Sequence, residues 1–343
     1  MKNISKTLSV FGFLLCFSLN AFSATATWVA GFGEWLQNAS FWDIGFPNAG
    51  DDIVISDPSL EQRLVVTGIN PNINSLTIGA NNIGINPDEF HIANAHSVTV
   101  SGGTIDNNGI MSLNAVGNTT SLLISNNGTI SGSGEIVLSN SANNQIRSTG
   151  GNETFTLGAN AMIRGAGTLV SNFGGMVNNG TIIADQATKL IIDTDAEGFT
   201  QTGTLRATGT GGLQILNTPT FTNTNGIDIE ANSSLNVHAS SIFGGDINID
   251  PTASATFTSS SNLHGVTING NVTHNNAETV DIFDGLTLIG NWSMNAVGST
   301  TNLLVHGNQS ILGNGEIILS DSPNNRLRPN GGNDVPVSYT HLT

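Results

Sequence analysis

The sequence predicts an all-β solenoid, one tube wound from short strands that turn at Gly/Asn corners. Three observations predict it. The stretch "GSGEIVLSNSANNQIRSTGG" (Gly132–Gly151) returns much later, without a gap, as "GNGEIILSDSPNNRLRPNGG" (Gly313–Gly332). A catalytic site is needed once, whereas a recurring phrase marks a building unit. No long stretch carries apolar residues at i, i+3, i+4 and i+7. The apolar residues come instead in short alternating or β-branched runs, such as "RLVVTG" (63–68), "HSVTVSG" (96–102), "TKLIIDT" (188–194) and "GDINID" (245–250). Finally, nearly every run ends at Gly, Asn or Asp, the residues that reach positive φ at least cost and so suit tight corners.

One such turn cannot bury its apolar side alone. Stacked turns pair each strand with the one below, about 4.8 Å away, and share one aliphatic lining. Asn side chains at equivalent positions can then form hydrogen-bonded ladders. The corners "NNG" at 107–109 and 126–128 suggest the length of one turn, and about nine such turns would separate Gly132 from Gly313. About 15 turns, roughly 70 Å of tube, are therefore expected. Residues 112–152 match 293–333 at 24 of 41 positions, the mark of a duplicated multi-turn block.

In chain order, residues 1–26 read as a secretory signal. Lys2 and Lys6 precede the apolar run Leu8–Leu19, and "AFS" (Ala21–Ser23) or "ATA" (Ala24–Ala26) supplies a small-x-small cleavage pattern. The run falls short of the roughly 20 residues of a membrane span. Cys16, the only cysteine, leaves with the signal, so the mature chain is expected to hold no disulfide and no thiolate. Residues 27–60 form an expected N-terminal cap, in which Trp28, Trp35 and Trp42 recur at equal intervals. A bulky aromatic lid suits the open end of a solenoid. Sugar stacking is the competing use of those rings. Residues 61–336 are expected to be the repeats. The last stretch, "VSYTHLT" (337–343), breaks the composition and holds the only Tyr, Tyr339. It reads as the translation of a transposon-end sequencing adapter, so the chain is expected to be a fragment whose natural C-terminus lies further on.

The W…GxGxW…W…PNxGDD opening (Trp28–Asp52), followed by "INSLTIG" (Ile73–Gly79), is similar to the heads of large secreted bacterial proteins. The stretch "MVNNGTIIADQATKLIIDTDAEGFTQTGTLRATGTGGLQI" (Met176–Ile215) resembles the repeats of autotransporter passengers and of exosortase-sorted (PEP-CTERM) surface proteins. The resemblance spans about 26–60 and 100–334. It implies a right-handed parallel β-helix at the surface of a Gram-negative bacterium or released from it, and it implies no catalytic residues.

Composition narrows the function classes. The formal charge of −16 becomes about −18 without the two signal lysines, and the seven remaining cations (Arg63, Arg147, Arg164, Lys189, Arg206, Arg326 and Arg328) are scattered. That leaves no basic patch for nucleic acid or anionic lipid. A uronate lyase, which needs cations on the substrate carboxylate and a base, fits badly. An inverting hydrolase needs two carboxylates about 6.5–9.5 Å apart, for which Asp281 with Asp284 and Asp246 with Asp250 are the candidates. "DTDAEG" (Asp193–Gly198) opens like a calcium loop, but Thr204 stands where the bidentate Glu belongs, so an acidic turn is expected. His91, His96, His238, His264, His274 and His306 form no HxH or HExxH pair. "ATGTGG" (Ala207–Gly212) is Gly-rich without a following helix pattern. Ice binding would need Thr-x-Thr rows, and "TPTFTNT" (218–224) and "TFT" (154–156, 256–258) are not expected to share one position on the turns.

The sequence therefore leads to a secreted or surface-exposed structural or adhesive β-helix, passenger-like or stalk-like. No catalytic residue, cofactor or metal is assigned. The expected partners are surface glycans or other cells, with no nucleic acid, no membrane insertion, and a monomeric rod. The alternative is a polysaccharide-active β-helix enzyme.

Overall fold

The computed structural model describes residues 23–56, 63–79 and 87–331, together with the strand segments Val337–Ser338 and His341–Leu342. The signal segment up to residue 22, Cys16, the boundary expected at residue 60 and Tyr339 lie outside the described residues. Thirty-seven strands, paired in parallel, wind as a β-solenoid of about 13 turns. Among the described residues there is no α-helix, and a single 3-10 turn occupies Ala39–Phe41.

Each turn contributes one strand to each of three faces. One turn runs through Thr129–Ser131, Glu135–Leu138 and Asn144–Ser148, and the next through Thr154–Leu157, Met162–Arg164 and Gly167–Leu169. The two turns pair strand for strand in parallel: Ile130 with Leu157, Ile136 with Ile163, and Ile146 with Leu169. Strands Ser97–Asn107, Ser261–Asn269 and Thr279–Ile289 bend through a corner and serve two faces. Alternation decides what goes inside. In the pattern of buried Ile182 and Ala184 with half-buried Thr181 and Ile183, every second side chain enters the tube.

The lining is shared from turn to turn. One second-face column runs Met111, Ile136, Ile163, Ile182, Leu205, Ile227, Ile247, Ile268, Leu288, and each side chain is almost wholly buried. Burying each side chain contributes about 1.5–3 kcal/mol. A first-face column places Phe155, Met176, Phe199, Phe221, Ile242 and Leu263 above one another, with Phe199 and Phe221 stacked at 4.9 Å. Ladders of buried amides form at corners: Asn178 Nδ2 donates to Gln201 Oε1 at 2.7 Å, and Gln201 Nε2 donates to the Gly203 carbonyl.

The expected turn length needs correcting. The two "NNG" motifs that suggested a short, constant period mark different corners. Asn107 closes a first-face strand, and its equivalent one turn on is Gly132, while Asn126 and Asn127 follow a third-face strand and take positive φ. The register also shows that turns differ in length. The step from Ile136 to Ile163 is longer than the step from Ile163 to Ile182, and only the second equals the interval between the motifs. Corner loops of variable length make most turns longer than that interval, so the described chain makes about 13 turns, roughly 60 Å at the usual strand spacing.

The duplicated block also departs from nine whole turns. Eight register steps carry the Met111 column to Leu288, and Trp292, the counterpart of Met111 in the second copy, stands on the next strand (Asn291–Met294), one face further round. The corner glycines survive this rotation. Gly132 (φ 94°) and its counterpart Gly313 (φ 106°) both lie where a Cβ would come within 2.1 Å of a carbonyl oxygen, that of Asn107 or Leu288.

Candidate functional site

The sequence-predicted acids point outward, and their bonds run in different directions. Asp281 and Asp284 share one strand, but Asp281 Oδ1 meets His306 Nε2 on the following turn at 2.5 Å. Asp284 Oδ2 meets His264 Nδ1 on the preceding turn at 3.2 Å. The two carboxylates are engaged away from each other. Asp246 is exposed on a second-face strand, whereas Asp250 belongs to the next corner, where its Oδ1 accepts from the Thr252 backbone N–H and Oγ1 at 2.8 and 2.7 Å. Those two bonds hold the Asp250 carboxyl below the usual carboxylate range.

Sequence reasoning missed that two of the histidines join a stacked column. Phe243, His264, Phe283 and His306 occupy one outward position on successive turns, with ring centroids 4.1, 4.6 and 4.0 Å apart and ring planes within 8–26° of one another. The available signal was the near-regular recurrence of an aromatic ring at these four positions. The faces of the inner rings are covered by their neighbours, so the column offers edges to solvent and no platform for a sugar. His274 is different. It lies in the core between Phe257 and Met294, accepts from Trp292 Nε1 at 3.3 Å, and burial lowers its pKa from 6.5 to about 4. His91 pairs with Glu89, His96 with Asn70, and His238 with Thr258.

Trp28, Trp35 and Trp42 are buried and packed edge-to-face or tilted on one another, with Trp28–Trp42 at 5.0 Å and Trp35–Trp42 at 4.8 Å, so none presents a ring face outward. In Asp193–Gly198, Asp195 turns its oxygens to the N–H groups of Gly174 and Glu197, and burial pushes the Asp193 carboxyl up. That arrangement caps a corner. Among the described residues no group of three or more His, Cys, Asp or Glu side chains could hold a metal ion. "ATGTGG" leads into the strand Leu213–Leu216. No helix among the described residues is long and apolar enough to cross a membrane.

The threonine motifs correct one expectation in part: Thr156 and Thr222 share an outward position, with Thr200 between them, whereas Thr256 and Thr258 lie on another face. The column reads Thr104, Thr129, Thr156, Val177, Thr200, Thr222 and then passes to Phe243. The spacing in the linear sequence hid it, since the intervening turns differ in length. It is a single row broken by Val177, without the paired rows of a Thr-x-Thr face.

A recess on the second face was also missed. It is a shallow groove of about 690 Å³ along the second face. One wall is the outward column Arg206, Asp228, Asn248, Asn269. Asn269 Nδ2 donates to Asn248 Oδ1, and Asn248 Nδ2 donates to Asp228 Oδ1, both at 2.8 Å. Glu230 and Asp250 at the corner complete the lining, with Ile229 and Ile249, whose side chains turn into the core. Glu230 is ion-paired to Arg206. The sequence signal was a polar residue between isoleucines, "IDI" (227–229) and "INI" (247–249), one turn apart.

No protein-family model, no curated protein and no solved structure matches the chain.

Proposed function

We propose that this chain is a secreted or surface-exposed structural and adhesive β-solenoid, a stalk or passenger whose work is length, rigidity and repeated weak contact rather than catalysis. The observation that carries the reading is the rotated duplication. A block copied eight turns and one face away keeps its lining and corners, but it moves every outward residue to a different face. A scaffold tolerates that change, because the three walls use the same inward aliphatic pattern. A catalytic face would be scrambled by it. Repeated outward groups suit multivalent contact, where several weak sites act together. The apolar run and small-x-small pattern at the N-terminus support export, and the resemblance to surface proteins supports a Gram-negative cell surface.

The test is adhesion. The purified chain on beads should retain glycan-coated surfaces or cells more than a bead-bound protein of equal charge does. Incubation with neutral and uronate polysaccharides should release neither reducing ends nor unsaturated uronates. Release of either would favour the alternative, a polysaccharide-active enzyme, and loss of retention would remove the adhesive half of the reading.

A further inference from the structure

We infer that the second-face groove between Arg206 and Asn269 is a binding site for an extended glycan that carries no acidic groups. The inference rests on the adhesive reading and names its ligand class.

The column supplies a regular set of hydrogen-bonding groups. Asn248 gives one of its two amide hydrogens to Asp228 and one oxygen lone pair to Asn269. A second N–H and a second lone pair remain to it. A donor beside an acceptor on one amide is what a pair of neighbouring sugar hydroxyls requires. Asn269 donates up the same ladder, so the polarity repeats from turn to turn. The turns rise by about 4.8 Å each, close to the advance of one residue along an extended β-linked glycan. Two neighbouring sugars can therefore each reach one amide of the ladder, Asn248 or Asn269.

The corner fits the same ligand. Asp250 fixes one oxygen on Thr252, which leaves Oδ2 to accept from a hydroxyl. The side chains of Ile229 and Ile249 turn into the core, so the groove meets a ligand with its polar column and its corner acids. Charge sets the specificity. Arg206 is matched by Glu230, so Asp228 and Asp250 leave the groove lining with a net negative charge, felt by a bound chain within the Debye length of about 8 Å at physiological salt. A uronate, sulfated or sialylated chain would be repelled, whereas neutral and amino sugars would not. No aromatic ring lines the groove, so each site is weak and retention depends on several rods acting together.

The experiment titrates the full chain with three soluble oligosaccharides of equal length, one neutral (a β-linked glucan), one amino (chitosan) and one acidic (oligogalacturonate), by calorimetry. Two variants accompany it: Asn248→Ala in the groove, and Asp284→Ala on the histidine column as a control. Circular dichroism checks that both keep the strand spectrum. The neutral or amino oligosaccharide should bind, the acidic one should not, Asn248→Ala should weaken binding roughly tenfold, and Asp284→Ala should leave it unchanged. Equal binding by Asn248→Ala, preference for the acidic chain, or no binding by any of the three overturns the groove assignment. If beads bearing Asn248→Ala still hold to cells as the native chain does, adhesion stands and lies elsewhere. If native beads hold to nothing, both readings fall together.

Discussion

Met111 and Trp292 occupy the same place in the two copies of the duplicated block, yet they line different walls of the tube. Met111 stacks between Phe90 and Ile136, and Trp292 between Val272 and Ile317. The block was therefore inserted in strand units rather than whole turns. This works because an inward position on one face is chemically the same as an inward position on another. It also explains which residues the copies keep. The corner glycines and the loop clamps persist, as in Asn144 accepting from the Ala115 N–H and Asn325 from the Ala296 N–H, both at 3.1 Å. Some outward residues diverge, for example Ser125 against His306, while others persist, such as Glu135 with Glu316 and Arg147 with Arg328.

The corner glycines give the first prediction. Gly132→Ala and Gly313→Ala each place a Cβ in the left-handed region and within about 2.1 Å of a carbonyl oxygen that belongs to the rigid turn below. Each should cost about 3 kcal/mol or more in urea unfolding. Gly117→Ala tests the mechanism, because Gly117 has a similar φ of 82° but no atom near its absent Cβ. It should cost about 1 kcal/mol, the backbone share alone.

The phenylalanine stack gives the second. Phe199 sits between Met176 and Phe221 in the shared lining and is 1% exposed. Phe199→Ala removes burial and leaves a cavity that parallel strands on both sides cannot close, so about 3–5 kcal/mol should be lost. Because turns contact only their neighbours, hydrogen exchange should rise most in strands Gly175–Asn178 and Phe221–Asn223, with little change near Leu303.

These positions show what could be read from the residues. The fold class was legible because a solenoid writes its period into local pattern: alternation along strands such as Leu190–Asp193 and glycine at corners such as Gly132. The phase was not legible. Turns of unequal length shift which Thr, Asn or His meets its equivalent, and only the register reveals that Thr156 meets Thr200 through Val177, or that Phe243 meets His264. Carboxylate pairing was hidden for the same reason. Asp281 and Asp284 are close in the chain but are bonded to histidines of opposite neighbouring turns.

His274 makes stability depend on acid. Its folded pKa is lowered by burial to about 4, from 6.5. Between those values the unfolded chain binds a proton that the folded chain refuses, so stability falls as pH drops from about 6.5 to about 4 and does not fall further from this cause below that. The loss from this one group is about 3 kcal/mol. His274→Met copies the residue one turn on, Met294, and removes the titration. It also removes the acceptor for Trp292 Nε1, at a cost of about 1 kcal/mol at pH 7. The variant should be slightly less stable than the native chain at pH 7 and more stable at pH 4. Carboxylates titrate in both proteins and cancel in the difference. Parallel stability–pH curves for the two would refute the assignment.

The first strand distinguishes the two cleavage positions of the proposed export signal. Of the two cleavage positions, the one after Ala26 would remove most of strand Thr25–Thr27, which pairs with Asp52–Val54 and buries Ala26 completely. It would leave the Asp52 N–H without the Ala24 carbonyl it meets at 2.8 Å, and Ile53 without its covering turn. Cleavage after Ser23 keeps the strand whole. It also creates an α-ammonium group at Ala24, whose nitrogen already lies 3.2 Å from Asp51 Oδ1, so the new charge gains a carboxylate partner. If the proposed signal is cleaved, the mass of the product should correspond to a chain starting at Ala24. Asp51→Asn should leave that start unchanged but lower stability at neutral pH by up to about 1 kcal/mol. A mature chain that begins at Thr27 would mean that the outermost strand is dispensable and that the tube opens on Asp52–Ile55 instead.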